Sequence, residues 1–154
     1  MASTYTSLAY HIIFSTKYRK PTLTDAIRDE TCRYIAGIIA NKQGQLLETG
    51  GVEDHVHLLT TCSPQIALAD LVRDIKANSS KWLHEEKRQA GFAWQTGYSA
   101  FTVSRSQIDS VREYIRGQAE HHQRQSFEDE LRTILRRHGI VVDEKYLFED
   151  EHHA

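Results

Sequence analysis

Cysteine and proline are scarce in this chain of 154 residues, with two of each. Cys32 and Cys62 belong to no CxxC pair, which leaves neither a disulfide framework nor a cysteine zinc site, and both read as reduced core thiols. No apolar run of about 18 residues occurs, and the opening MASTYTSLAYHIIF lacks a basic region followed by a long apolar stretch. The expected location is therefore the cytoplasm, with no membrane contact. A basic excess is missing too: 19 Lys and Arg against 21 Asp and Glu give a net charge of −2, so a surface for a polyanion has to be local. What is present, 40% apolar and 26% charged residues with only 8 glycines, describes an ordinary globular chain of a length that suits one domain.

Residues 8–15 (LAYHIIFS) form an apolar, β-branched run that KYRKP ends, and they read as a buried first strand. Thr24 is placed as an N-cap, and Ile27, Thr31, Tyr34, Ile35, Ile38 and Ile39 recur at helical spacing over residues 25–42. Residues 45–52 and 55–62 read as two strands joined by the polar Glu53-Asp54, an antiparallel hairpin. A second helix is expected over 66–87 and a half-buried strand over 98–104, after which Ser106 caps a helix with Ile108, Val111 and Ile115 facing the core. Ser126 opens a further helix that runs to Arg137, with Gly139 as its stop. The order is the split βαβ pattern of α+β, ferredoxin-like folds: an antiparallel sheet with helices packed on one face and extra C-terminal helices. That fold hosts many functions, so the sites decide.

In the HVH of the expected third strand, alternation puts His55 and His57 on one face and Val56 and Leu58 on the other. Two imidazoles so placed can grip one divalent cation; the plainer alternative is a pair of histidines on a solvated sheet face. Tyr114 and Gln118 stand one helical turn apart. A tyrosine there is either a packing residue or, if its helix lies beside the histidine strand, a nucleophile with Gln118 as a third, oxygen ligand. Such a set suits phosphoryl transfer: a phenolate attacks phosphorus, releases a 3′ hydroxyl and keeps the 5′ phosphate in a phosphotyrosine that a second hydroxyl can reverse.

YHIIFSTKYRKP, EDHVHLL, WQTGYSAFTVS and VREYIRGQAEHH, in this order over residues 9–148, resemble the small single-tyrosine HUH transposases of bacterial insertion sequences, including the relatives associated with repetitive extragenic palindromes. The resemblance implies one domain over 1–154, with a compact core of about 8–124 and a helical extension over 125–154. It implies Tyr114 as the catalytic nucleophile and His55, His57 and Gln118 as ligands of Mg2+ or Mn2+, with no organic cofactor. It implies cleavage and rejoining of single-stranded DNA with hairpin ends by a homodimer whose sheets join edge to edge and whose active sites are shared, the tyrosine helix of one subunit completing the histidine site of the other. The alternative function is a domesticated hairpin-binding module without required strand transfer.

Around this set, Asp54 is open between a hairpin turn former, an outer partner for an imidazole, or neither, with the turn favoured. His11 reads as a hydrogen-bonded structural histidine. His121 and His122 are expected to meet DNA or solvent and are left out of the site. The candidate DNA contacts are Lys17, Arg19 and Lys20 at the exit of the first strand, Arg73, Lys76 and Lys81 on the second helix, Arg105, and Trp94 in a glycine-flanked loop as a base-stacking face. The acidic DEKYLFEDEHHA at the end of the chain carries most of the negative excess, so net charge understates the basicity available elsewhere.

Overall fold

The structure is a computed structural model that describes residues 3–147. The acidic end of the chain from residue 148 onward, and the last residue of the resemblance with it, lie outside the described residues. Four strands, β1 (Ala9–Ser15), β2 (Leu46–Val52), β3 (His55–Thr61) and β4 (Ser99–Thr102), are joined by the long helices α1 (Asp25–Asn41) and α2 (Leu68–Glu86). The chain then continues through α3 (Ile108–Arg116), α4 (Gln118–His121), α5 (Phe127–Arg137) and α6 (Glu144–Leu147). The sheet order is β2-β3-β1-β4 and every pair is antiparallel, the ferredoxin-like arrangement expected.

Local chemistry sets the boundaries. The Thr24 side chain accepts from the Ile27 amide at 3.4 Å and opens α1, and Ser126 Oγ accepts from the Asp129 amide at 3.2 Å and opens α5. The second helix starts at Leu68 rather than Ile66, because the Ile66 amide is spent on a turn to the Ser63 carbonyl at 3.1 Å. Ser106 sits inside a short 3-10 turn, Arg105–Gln107, and α3 begins only at Ile108. Gly139, at φ +68°, ends the α5 region in the left-handed conformation that glycine tolerates best.

The pleat divides the side chains of β1 and β3 between two cores. Ile12, Phe14, Val56 and Leu58 pack with Ile35 and Ile39 of α1 and with Leu71, Val72, Ile75 and Leu83 of α2. On the opposite face Leu59 meets Ile108 and Ile115 of α3, while Ile13 and Phe101 meet Phe127, Leu131 and Leu135 of α5. The extra C-terminal helices therefore cover the second face of the sheet, and each fully buried apolar side chain there stabilises the cover by about 1.5–3 kcal/mol.

Two of the candidate DNA contacts have partners within the fold. Trp94 is turned into the first core, where its Nε1–H donates to Ser79 Oγ at 2.9 Å and its ring meets Phe14 edge-on at 4.7 Å, so no face is left for a base. Lys76 is committed to the same loop, donating to the carbonyls of Gln95 at 2.6 Å and Gly97 at 2.8 Å.

The position of α3 depends on an absent side chain. A Cβ built on Gly50 of β2 would lie 2.1 Å from the Ile115 carbonyl oxygen and 2.9 Å from Ile115 Cγ2. Gly50 is also the register partner of His57, so the helix backbone comes down on the sheet beside the histidine strand. Gly50→Ala is expected to destabilise the fold by about 1–3 kcal/mol through overpacking, whereas Gly37→Ala, in open space on α1, gains up to about 1 kcal/mol. Urea denaturation of both variants checks the pair, and a harmless Gly50→Ala removes this contact as the device that seats α3.

Candidate active site

Alternation along β3 points His55 and His57 to the α3–α5 side, and both are completely buried beneath those helices rather than solvated. Each ring is fixed from behind. Asp54, in the turn before β3, accepts the Nδ1–H of His55 at 2.8 Å, so Asp54 is both turn former and outer partner. His11, the diagonal neighbour on β1, shares a 2.8 Å hydrogen bond between its Nε2 and His57 Nδ1. In both histidines Nε2 is left facing forward.

From the other side come Tyr114 on α3 and Gln118 at the start of α4. The helix tightens at Gly117, whose amide reaches the Glu113 carbonyl at 3.2 Å and that of Tyr114 at 3.3 Å, so the one-turn relation between the two residues persists. Gln118 Oε1 lies 3.2 Å from His55 Nε2. The four residues singled out from the sequence thus meet within one chain. The tyrosine helix lies beside the histidines of its own chain.

Two further residues enter that the sequence reading did not place. Glu130 of α5, 2% exposed, puts Oε1 at 3.3 Å from His57 Nε2 and 3.0 Å from His122 Nε2. Its Oε2 accepts from Gln118 Nε2 at 3.1 Å and from the Tyr114 hydroxyl. His122, expected to meet DNA or solvent, also turns inward: its Nε2 lies 3.1 Å from Gln118 Oε1. His121 stands against the Tyr114 ring with centroids 4.7 Å apart, and Phe127 stacks on His55 at 4.3 Å. The signal for Glu130 was in the sequence, because it shares a helical stripe with Phe127, Leu131 and Leu135, and an acid on an apolar stripe has to be answered by donors.

Burial alone would raise the Glu130 carboxyl, but hydrogen bonds from His122, His57 and Tyr114 hold it well below the usual carboxylate range. Burial and the Glu130 carboxylate push the Tyr114 phenol up. Burial lowers His57 to about 4, against the pull of Glu130, and lowers His11 to about 3. His122 moves upward, because Glu130 outweighs its burial. The centre holds a carboxylate anion, a protonated phenol and a neutral His57.

The residues fit a divalent cation. With its Nδ1 bonded to Asp54, His55 turns Nε2 toward Gln118 Oε1 at 3.2 Å and Glu130 Oε1 at 3.6 Å, a nitrogen and two oxygens brought to one point. A divalent cation at that point would be held by His55, His57 and Gln118.

The remaining candidate cations do not form one surface. Lys17, Arg19 and Lys20 lie on the loop after β1, where Tyr18 and Arg19 take φ of 58° and 52°, and Arg19 pairs with Glu128 of α5 at 2.6 Å. Arg105 is exposed in the turn before α3. Arg73, paired with Asp70 at 3.1 Å, and the exposed Lys81 belong to α2, across the sheet from the histidines. A cleft of about 530 Å³ does open onto the site, lined by His11, Tyr114, His121, Glu130, Arg137 and His138 among others.

Among solved structures, the fold is similar to that of a transposase structure from Deinococcus radiodurans, with a TM-score of 0.60 and 26% identity over 75% of this chain and 94% of that one. It is also similar, in fold alone, to a REP-associated tyrosine transposase bound to a REP hairpin, with a TM-score of 0.51 and 11% identity over 75% and 68% of the two chains. The sequence profile described as "Transposase IS200 like" matches residues 4–118. The ISDra2 transposase TnpA of Deinococcus radiodurans is 30% identical over 117 residues, 72% of this chain and 84% of that protein. The transposase for insertion sequence element IS200 of Salmonella typhimurium is 26% identical over 126 residues, 78% and 82% of the two chains. The chain belongs to the IS200-like transposase family. No helix among its described residues is long and apolar enough to cross a membrane.

Because the folded state holds His57 at about 4 and His11 at about 3, the unfolded chain takes up these protons first as pH falls below about 6.5. Stability of the metal-free protein is therefore lost between about pH 6.5 and the folded values; Glu130, lowered, adds a further loss once pH falls through its unfolded value of 4.5, and the contribution of His122, raised, fades only as pH rises above its unfolded value of 6.5. Urea midpoints at about pH 7 and about pH 5 are expected to differ, and to differ less in His57→Asn. An equal drop in the variant excludes His57 as a source.

Proposed function

We propose that this chain is a metal-dependent transposase that cleaves and rejoins single-stranded DNA at hairpin-flanked sites through a covalent 5′-phosphotyrosine on Tyr114. The observation that carries the reading is the convergence of the Tyr114 hydroxyl and the His55, His57 and Gln118 donors on one buried centre, linked through the Glu130 carboxylate. A divalent cation, Mg2+ or Mn2+ by the family resemblance, would be held by His55, His57 and Gln118 and would withdraw charge from the scissile phosphate. The family membership and the hairpin bound by the fold's REP-associated neighbour support a hairpin substrate.

In this reading the phosphate backbone enters along the cleft lined by His121, Arg137 and His138, which sets cationic and hydrogen-bonding groups beside Tyr114. The Tyr114 hydroxyl passes its proton to the Glu130 carboxylate that accepts from it as the oxygen attacks phosphorus in line with the bond to the departing 3′ oxygen, and the same proton completes that oxygen's leaving as a hydroxyl. Phe127 stacks on His55, and the helices above cover both histidines. Attack by that 3′ hydroxyl restores both the phosphodiester and the phenol. The sequence of steps needs no ATP because each ester bond is exchanged for another.

The upward push on the Tyr114 phenol by Glu130 favours one competing reading, a hairpin-binding module with no required chemistry. The two separate on one gel: single-stranded hairpin DNA with Mn2+ gives a denaturant-resistant adduct with the wild type and none with Tyr114→Phe. Chelator-indifferent hairpin binding without an adduct leaves the binding module standing.

The homodimer implied by the resemblance belongs to this proposal, and the outer edge of β2, at the end of the sheet order, is a backbone edge open to pairing. The active sites are proposed to work in cis. Mixing Tyr114→Phe subunits with His55→Ala subunits is then expected to leave cleavage absent. Restored cleavage in the mixture overturns the cis assignment, because only shared sites rebuild one intact set.

A further inference from the structure

The centre has more donors than the histidine pair and Gln118. Glu130 Oε1 lies 3.0 Å from His122 Nε2, 3.3 Å from His57 Nε2 and 3.6 Å from His55 Nε2. When four donors surround a cation tetrahedrally at about 2.0–2.1 Å, they stand about 3.3–3.4 Å from one another, so this spacing already approximates the edges of a coordination shell. The ligand atoms of His55, His122 and Glu130 all fall within 4.8 Å of one another. His55 turns Nε2 toward both Gln118 Oε1 at 3.2 Å and Glu130 Oε1 at 3.6 Å while its Nδ1 is engaged by Asp54, so the ring offers Nε2 to the same point as the two oxygens.

We infer that Glu130 and His122 are themselves ligands of the cation, joining His55, His57 and Gln118 in a set of three imidazoles, one carboxylate and one amide oxygen. The inference rests on the metal-dependent reading above and changes what the metal is. Three imidazoles suit borderline cations such as Co2+ and Zn2+ best and are accepted by Mn2+, whereas Mg2+ favours carboxylates, phosphates and retained water. Both added ligands lie beyond residues 4–118, the segment that the family profile matches.

The two oxygens of Glu130 divide the work. Oε1 faces the imidazoles, while Oε2 holds the Tyr114 hydroxyl and the Gln118 amide. Metal on Oε1 leaves Oε2 in place, so one carboxylate fixes the distance between cation and nucleophile. The cation in turn ties α4 and α5 to β3, a staple between segments 73 residues apart in the chain.

Calorimetric titration of the metal-free, full-length protein with Mn2+, Zn2+ and Mg2+ tests this together with Glu130→Gln and His122→Asn. Loss of an outer partner lowers metal affinity about 10- to 100-fold, so each variant, if a ligand is lost, is expected to bind Mn2+ and Zn2+ more than about 100-fold more weakly. Smaller losses overturn the inference while leaving a centre built on His55, His57 and Gln118; a wild type that binds no cation overturns that centre as well. Mg2+ binding as tight as Mn2+ overturns the assigned cation class. A second readout on the wild type covers variants that fail to fold: Zn2+ is expected to move the imidazole ¹⁵N resonance of His122 Nε2 along with those of His55 and His57. An unmoved His122 nitrogen overturns its assignment.

Discussion

A carboxylate that is only 2% exposed has to be answered from every side, and in this protein the answer to Glu130 organises the whole second face of the sheet. Its neighbours come from β3, α3, α4 and the loop that leads to α5, so one anion joins four segments of the chain. Removing the charge would leave three imidazoles, an amide and a phenol without their common partner. Removing the donors would leave a buried anion, which costs more still. The apolar stripe of Phe127, Leu131 and Leu135 supplies the free energy that holds the acid in this position.

The tyrosine helix is placed by a different kind of constraint, one of space. Gly50 lets the backbone of α3 touch β2 beside His57, and the Glu48 carboxylate at 2.7 Å from Arg116 Nε secures the end of that helix. Tyr114 then has a restricted range of positions above the histidines. Backbone contact sets where the phenol stands, and the carboxylate sets which way its hydroxyl points. The tyrosine backbone and the histidine rings are in this way located by different contacts.

Much of this was legible in the sequence because the relevant signals are local. Alternation in HVH assigned both imidazoles to one face, Thr24 and Ser126 marked two helix starts, and the four-residue spacing of Tyr114 and Gln118 survived the tightening at Gly117. The misses are those in which a side chain answers a distant partner. The periodicity of α5 shows that it buries a face but not against what, and nothing within ten residues of Glu130 names His57 as its neighbour. Trp94 sits in a loop between glycines, as composition indicated, yet the Ser79 hydroxyl and the Phe14 ring, far away in the chain, turn it inward. His122 was judged by its place on a helix surface before α5 was known to cover that surface.

The reach of the family profile and the extent of the buried centre do not coincide. The profile ends at Gln118, whereas the side chains that roof the histidines, Phe127 and Glu130 first among them, follow it. Cloning only the matched stretch would therefore not trim a dispensable tail. It would unroof an apolar sheet face bearing Ile13 and Phe101 and strip the histidines of an anionic neighbour, leaving a sticky fragment whose failure to act would say nothing about the intact enzyme.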